Sequence, residues 1–238
     1  MTRFQLHGLA RILIGLALLG SVAWQVFDRI ANDLFRPAEY FAYFSIVAAI
    51  VSGLVVVVSG VGRMRDRPES AFAVILLLTA AASMVVVGVV YHALLADAAP
   101  DPRDLGYAWP VLPNEIIHTW APVLIALDCV LSTRGTALRL RQALWVAVFP
   151  LVWLGFSVVR GLADGWWPYW FIDPSEEGGV GGMLAYVVAI SAFFVVLGFA
   201  FIALNLLVRR LTRSRNSPPT DAPAAVPAAE PAAADATP

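Results

Sequence analysis

Six apolar stretches, each close to the length of a membrane-spanning helix, constrain the fold of this chain more than any other feature. A bilayer core of roughly 30 Å needs about 20 helical residues, and the stretches occupy residues 9–27, 41–62, 71–95, 114–131, 142–160 and 182–208. Of the 238 residues, 60% are hydrophobic and only 14% are charged, whereas about a quarter are charged in a soluble domain. We therefore predict an all-α integral membrane bundle of six transmembrane helices.

The arginines indicate the orientation of the bundle across the membrane. If six spans alternate in direction, most arginines fall on the side that carries both termini, and arginine-rich loops face the cytoplasm. Both termini are therefore predicted to be cytoplasmic. The cations other than histidine are all arginine and alanine is abundant, which suggests a high-GC bacterial genome, so we expect a multi-pass protein of a bacterial plasma membrane. The arginines on the predicted inner side are Arg3, Arg11, Arg63, Arg65, Arg67, Arg134, Arg139, Arg141, Arg209, Arg210, Arg213 and Arg215.

Charge and composition also divide the chain. Residues 213–238 are rich in proline and alanine and cannot bury enough apolar surface to fold, so we predict a six-helix domain at 1–212 and a disordered cytoplasmic tail at 213–238.

The net charge is −1 and no basic face stands out, which excludes a nucleic-acid partner as a property of the whole chain. The expected partners are membrane lipids.

Polar side chains inside the spans are few, and because they are costly in hydrocarbon each suggests a function. His118 lies about one turn below the predicted outer surface in span four, and Ser45 lies about as deep in span two. A hydroxyl and an imidazole at matching depth indicate a nucleophile and a base. Each also has a simpler interpretation, since a membrane histidine is often a hydrogen-bond donor between helices and a serine often bonds its own helix.

The neighbours of His118 strengthen the case for a site. Asn114 and Glu115 precede it by four and three residues, on the same helix face, and either could orient the imidazole. Pro122 lacks the N–H that would bond the His118 carbonyl, so we expect a bend that opens a partly wet pocket. Asp128 is ten residues away, roughly 15 Å along a helix, and is too far to orient the imidazole.

Three segments together resemble a known family. They are "YFAYFS" at the start of span two, "NEIIHTWAPVLIALD" in span four and "WWPYWFIDP" in the loop after span five. In order and spacing they are similar to the androgen-induced and androgen-dependent six-span membrane proteins and their bacterial relatives. The resemblance implies an intramembrane hydrolase of fatty acid esters, with Ser45 in the place of a threonine nucleophile and His118 as the base, and with a hydrophobic ester as substrate.

The resemblance implies neither a metal nor another cofactor, and two other functions stay open. A noncatalytic lipid-binding or scaffold protein would need no nucleophile. Alternatively, His92 and His118 could lie at one level on neighbouring helices and bind haem or a metal, although this chain lacks the paired histidines on one span that membrane cytochromes carry.

Overall fold

The computed structural model describes residues 2–99, 101–132 and 136–216, and this part of the chain is helical without strands. Six helices are long and apolar enough to cross a membrane, which confirms the predicted fold class. The helices that span are Gln5–Ala31, Phe44–Met64, Ala71–Leu95, Val111–Leu131, Leu140–Asp164 and Gly179–Thr212, here called spans one to six. The last helix continues to Asn216, four residues past the predicted domain boundary, and the rest of the predicted tail lies outside the described residues.

Three of the spans are not uniform α-helices. Span three is α-helical over Ala71–Val90 and ends in a wider π turn at Tyr91–Leu95. Span four has the same kind of turn at Ile116–Trp120, between α-helical segments Val111–Glu115 and Ala121–Leu131. Span five begins as a 3₁₀ helix, Leu140–Ala147, and continues as the α-helix Val148–Asp164. Such π turns are uncommon and often lie at functional sites.

Spans one and two form the closest helix pair of the bundle. A side chain at Gly15 would place its Cβ only 2.6 Å from the carbonyl oxygen of Gly53, so the two backbones touch where both residues lack side chains. Small residues at such a crossing are how membrane helices gain van der Waals contact without a hydrophobic driving force.

The core contains buried side chains from all six spans, and large apolar side chains cover the outer faces of the helices. Leu78, Met84, Ile117 and Ile125 are almost fully buried, whereas many leucines, valines and phenylalanines are exposed along every span. On a soluble protein so much exposed apolar surface would be a liability, but on a bundle in a bilayer it is the lipid-facing surface.

The loop after span five folds back onto the bundle at the predicted outer end. Its short 3₁₀ helix, Trp170–Ile172, buries Phe171 and Ile172 and contacts span six. The sequence "WWPYWFIDP" therefore forms part of the packed structure and positions Tyr169 next to the start of span two.

Candidate functional site

A cavity of about 220 Å³ lies at the predicted outer end of the bundle, between spans two to six. Its walls are mainly aliphatic and aromatic. The structure places both predicted catalytic residues, Ser45 and His118, on its lining. The lining side chains that carry a polar atom able to donate a hydrogen bond are Ser45, Tyr91, His118, Trp153, Tyr169 and Ser191.

The ring of His118 is held in one orientation by two contacts. Its Nδ1 lies 3.0 Å from the backbone carbonyl oxygen of Asn114, and since a carbonyl can only accept, the proton belongs on Nδ1. Tyr91 stacks on the imidazole with ring centroids 4.1 Å apart. This tautomer leaves Nε2 with a lone pair, which is what a general base requires.

The two predicted supporting residues differ in what they do. Asn114 orients His118 through its main-chain carbonyl, while its side-chain amide donates to the Tyr91 hydroxyl at 2.7 Å. The side chain therefore acts on the imidazole only through the stacked tyrosine. The carboxylate of Glu115 forms no hydrogen bond with the His118 ring within the described ranges.

Ser45 lies in the first turn of span two and is partly buried. Its backbone N–H donates to the Tyr169 hydroxyl oxygen at 3.2 Å. The helix starts here because Tyr43, with an extended backbone, accepts the N–H groups of Ile46 and Val47 at its carbonyl. Among residues 2–99, 101–132 and 136–216, no hydrogen bond joins the Ser45 hydroxyl to His118, although both groups line the same cavity.

Pro122 and Gly88 explain the shape of span four around His118. Pro122 provides no N–H for the His118 carbonyl, and the helix widens here into the π turn Ile116–Trp120. Gly88 of span three lies against this carbonyl, because a Cβ at position 88 would be 2.9 Å from the His118 oxygen and 3.3 Å from Pro122. Close approach of the two spans thus depends on the absence of a side chain at Gly88.

His92, the second candidate haem or metal ligand, lies on span three and is exposed. Its Nε2 is 3.0 Å from the hydroxyl of Thr119. His92 and His118 both line a wider depression between spans three and four. Within the described residues there is no group of three or more histidine, cysteine or acidic side chains that could hold a metal.

A second polar cluster, at the predicted inner end, was not foreseen as a unit. Arg11 is 1% exposed and Arg63 is 4% exposed, so these arginines are buried ion-pair partners as well as signals of topology. Arg11 contacts both oxygens of Asp128, at 2.9 Å from its Nε, and Arg63 lies 3.1 Å from Glu69. The cluster, which joins spans one, two and four and the loop before span three, comprises His7, Arg11, Ser59, Arg63, Glu69, Asp128 and Ser132.

The charges of this inner cluster balance, with two arginines against two carboxylates. Glu69 lies in the loop between spans two and three. Burial alone would raise the pKa of Glu69, but Arg11, Ser59 and Arg63 outweigh it and the pKa is lowered. The cluster is therefore a compensated ionic contact that ties helices together. The signal available in the sequence was spacing, since His7 and Arg11 fall on one helix face, as do Ser59 and Arg63.

Comparisons with protein-family models, curated proteins and solved structures find no match to this chain. A function for the protein must therefore be inferred from the geometry and chemistry of the cavity and of the inner cluster.

Proposed function

We propose that this protein is an intramembrane hydrolase of fatty acid esters, with Ser45 as the nucleophile and His118 as the general base. The observation that carries the proposal is that Ser45 and His118 line one apolar cavity, with the imidazole oriented through Nδ1. The resemblance of the segments "YFAYFS" and "NEIIHTWAPVLIALD" to the androgen-induced and androgen-dependent family and its bacterial relatives supports the same assignment.

The chemistry requires Nε2 of His118 to take the proton of the Ser45 hydroxyl while the serine oxygen bonds to the ester carbonyl carbon. The C–O bond to the alcohol then breaks, and the alcohol leaves with the proton from His118. Water next attacks the acyl-serine, gives one proton to His118 and releases the fatty acid, and that proton returns to Ser45. We expect the hydrogen bond between the Ser45 hydroxyl and the His118 imidazole to form when substrate binds, since catalytic hydrogen bonds often tighten only in the substrate complex.

The walls of the cavity favour a lipid as the substrate. Leu151 and Leu154 of span five and Val187 and Val195 of span six contribute apolar surface. Span six packs on the 3₁₀ start of span five but hardly on the helix Val148–Asp164 that comes after it. This separation gives an acyl chain a lateral path from the bilayer to the cavity. Membrane lipids in the outer leaflet of a bacterial plasma membrane are the proposed source.

A noncatalytic lipid-binding protein is the second candidate. Two observations favour it: the lining is mostly apolar, and the described residues contain no hydrogen bond between Ser45 and His118. The two proposals differ in whether the Ser45 oxygen is needed for turnover.

Hydrolysis of a medium-chain p-nitrophenyl ester by the protein in nanodiscs separates them. We expect Ser45→Ala to abolish turnover, while Ser52→Ala leaves it intact. Ser52 is a suitable control because it is buried in the same helix and does not line the cavity. Turnover by Ser45→Ala at the parental rate would refute the hydrolase proposal, and retention of a bound fluorescent fatty acid by that variant would then support lipid binding.

A further inference from the structure

An esterase of this kind needs a donor for the negative charge that develops on the carbonyl oxygen. The backbone amides at the start of span two are already engaged, because those of Phe44 and Ser45 bond to the Tyr169 hydroxyl and those of Ile46 and Val47 donate to the Tyr43 carbonyl. The Asn114 amide donates to Tyr91 and does not line the cavity. The donor must therefore be sought among the other side chains of the lining.

Four further side chains of the lining carry an N–H or O–H, and only one of them contacts Ser45. The indole N–H of Trp153 donates to the carbonyl of Ala42 at 2.9 Å. The Tyr91 hydroxyl accepts from Asn114 and keeps a proton to donate, but Tyr91 stacks on His118 and makes no hydrogen bond to Ser45 among the described residues. Ser191 lies on span six and has no hydrogen bond to Ser45 in the part of the chain that the structure describes. The fourth, Tyr169, accepts the N–H of Ser45 at 3.2 Å.

The hydroxyl proton of Tyr169 is available for a substrate. Its oxygen accepts the backbone N–H of Ser45 at 3.2 Å, and the only side chain that hydrogen-bonds to this hydroxyl in the described ranges is that of Ser45, the proposed nucleophile. When the Ser45 oxygen bonds to the substrate, the Tyr169 proton is free to turn to the carbonyl oxygen beside it. Burial raises the pKa of Tyr169 to about 12, so the phenol keeps its proton at any physiological pH. A raised pKa agrees with a role as a hydrogen-bond donor and not with a role as a base.

The ring of Tyr169 is also fixed in place. It stacks on Phe171 with centroids 5.1 Å apart and planes inclined by 6°, and it meets Tyr43 edge-on at 5.6 Å. Trp153 lies against it at 5.9 Å. A donor held by its neighbours needs little reorganisation when charge appears, which is the condition for strong stabilisation of a transition state.

We propose that Tyr169 is the oxyanion donor of this site, an inference that rests on the proposed hydrolase function. When the Ser45 oxygen bonds to the carbonyl carbon, the π electron pair of the carbonyl moves to its oxygen. The Tyr169 O–H donates a hydrogen bond to that oxygen and keeps its proton throughout. When the electron pair on the oxygen re-forms the carbonyl double bond and the alcohol leaves, the hydrogen bond from Tyr169 weakens again. The loop after span five thus completes a site whose other parts lie on spans two and four.

The test compares Tyr169→Phe with Tyr43→Phe in steady-state hydrolysis of a p-nitrophenyl ester. We expect Tyr169→Phe to lower kcat on the order of 100-fold with little change in KM, because the bond strengthens only in the transition state. Tyr43→Phe should match the parent, since Tyr43 belongs to the same aromatic cluster but does not line the cavity. Thermal unfolding of each variant checks that the fold persists.

A ring-fluorinated tyrosine at position 169 provides a second test in which the acceptor for Ser45 is kept. Its phenol ionises at lower pH, so we expect hydrolysis to fall at an alkaline pH that the parent tolerates. If Ser45→Ala abolishes turnover but Tyr169→Phe is as active as the parent, or if Ser191→Ala causes the loss instead, the assignment of Tyr169 is overturned and the hydrolase proposal stands. If Ser45→Ala itself retains turnover, the hydrolase proposal fails.

Discussion

The Nδ1 atom of His118 lies 3.0 Å from the main-chain carbonyl oxygen of Asn114, one turn earlier in the same helix. The group that orients the imidazole is thus part of the backbone, and no mutation of a side chain removes it directly. The Asn114 side chain contributes only through its 2.7 Å bond to Tyr91, which stacks on the ring.

Asn114→Ala should therefore have a small effect on hydrolysis. It removes one hydrogen bond worth about 0.5–1.5 kcal/mol, which corresponds to a loss of roughly two- to tenfold in kcat/KM. Glu115→Gln is the matched control, because that carboxylate makes no hydrogen bond to His118 within the described residues. A loss of many orders of magnitude for Asn114→Ala would show that the amide itself takes part in the chemistry.

Gly88→Ala should disturb the site from a distance. The new Cβ would lie 2.9 Å from the His118 carbonyl oxygen, so spans three and four must move apart, at a cost of ~1–3 kcal/mol for overpacking. We expect a lower unfolding temperature together with a lower kcat. Gly20→Ala, where nothing lies within 4 Å of the added Cβ, serves as the control and should lower neither quantity, because alanine without a clash favours the helix.

Asp128→Asn should destabilise the bundle strongly while the outer site stays intact. It leaves Arg11, which is 1% exposed, with a partly uncompensated charge, and removal of one partner of a buried pair costs ~3–5 kcal/mol. Unfolding in mixed micelles measures this loss. Arg65→Met, an exposed arginine in the same region, should cost little.

The double variant Arg11→Met with Asp128→Asn, together with Arg11→Met alone, completes the thermodynamic cycle. We expect it to lose less stability than the sum of the two single changes, because neither charge is then left alone. Strict additivity would mean that the two residues are not coupled.

Orientation remains a prediction from the arginines. A green fluorescent protein fused after Val208 should fluoresce, since it would fold in the cytoplasm, and alkaline phosphatase inserted at residues 97–105 should be active outside. The reverse result at either position would contradict the proposed orientation and would move Ser45 and His118 to the inner leaflet.

The helices could be predicted from the sequence because each span needs about 20 apolar residues to cross the hydrocarbon core of the bilayer. Their ends were less predictable: span two begins at Phe44 and span four at Val111, three residues from the predicted positions in each case. These shifts arise from the turn before Tyr43 and from Pro110, which precedes the first turn of span four. Local backbone geometry decided both, and the apolar pattern does not encode it.

The site was partly predictable for a similar reason. His118 and Ser45 stand out as polar groups in apolar helices, and because such groups are costly in hydrocarbon, both could be identified as candidate site residues. Tyr169 has no such signal, since it lies in an aromatic loop where any of several rings could have turned inward. The inner cluster was missed because arginines near helix ends are ordinarily topology signals, and only the three-dimensional packing reveals that Arg11 and Arg63 face Asp128 and Glu69.

The most direct test of the central claim is to map the residue that a fluorophosphonate probe modifies, by peptide mass spectrometry of the protein in nanodiscs. We predict one modified peptide with the adduct on Ser45, no adduct in Ser45→Ala or His118→Ala, and a parental adduct in Ser52→Ala. The double variant Ser45→Ala with His118→Ala should hydrolyse ester no more slowly than either single variant, because the rate losses of residues that act as one unit are not additive. An adduct on another residue, or unchanged labelling of His118→Ala, would contradict the assignment of Ser45 and His118 as nucleophile and base.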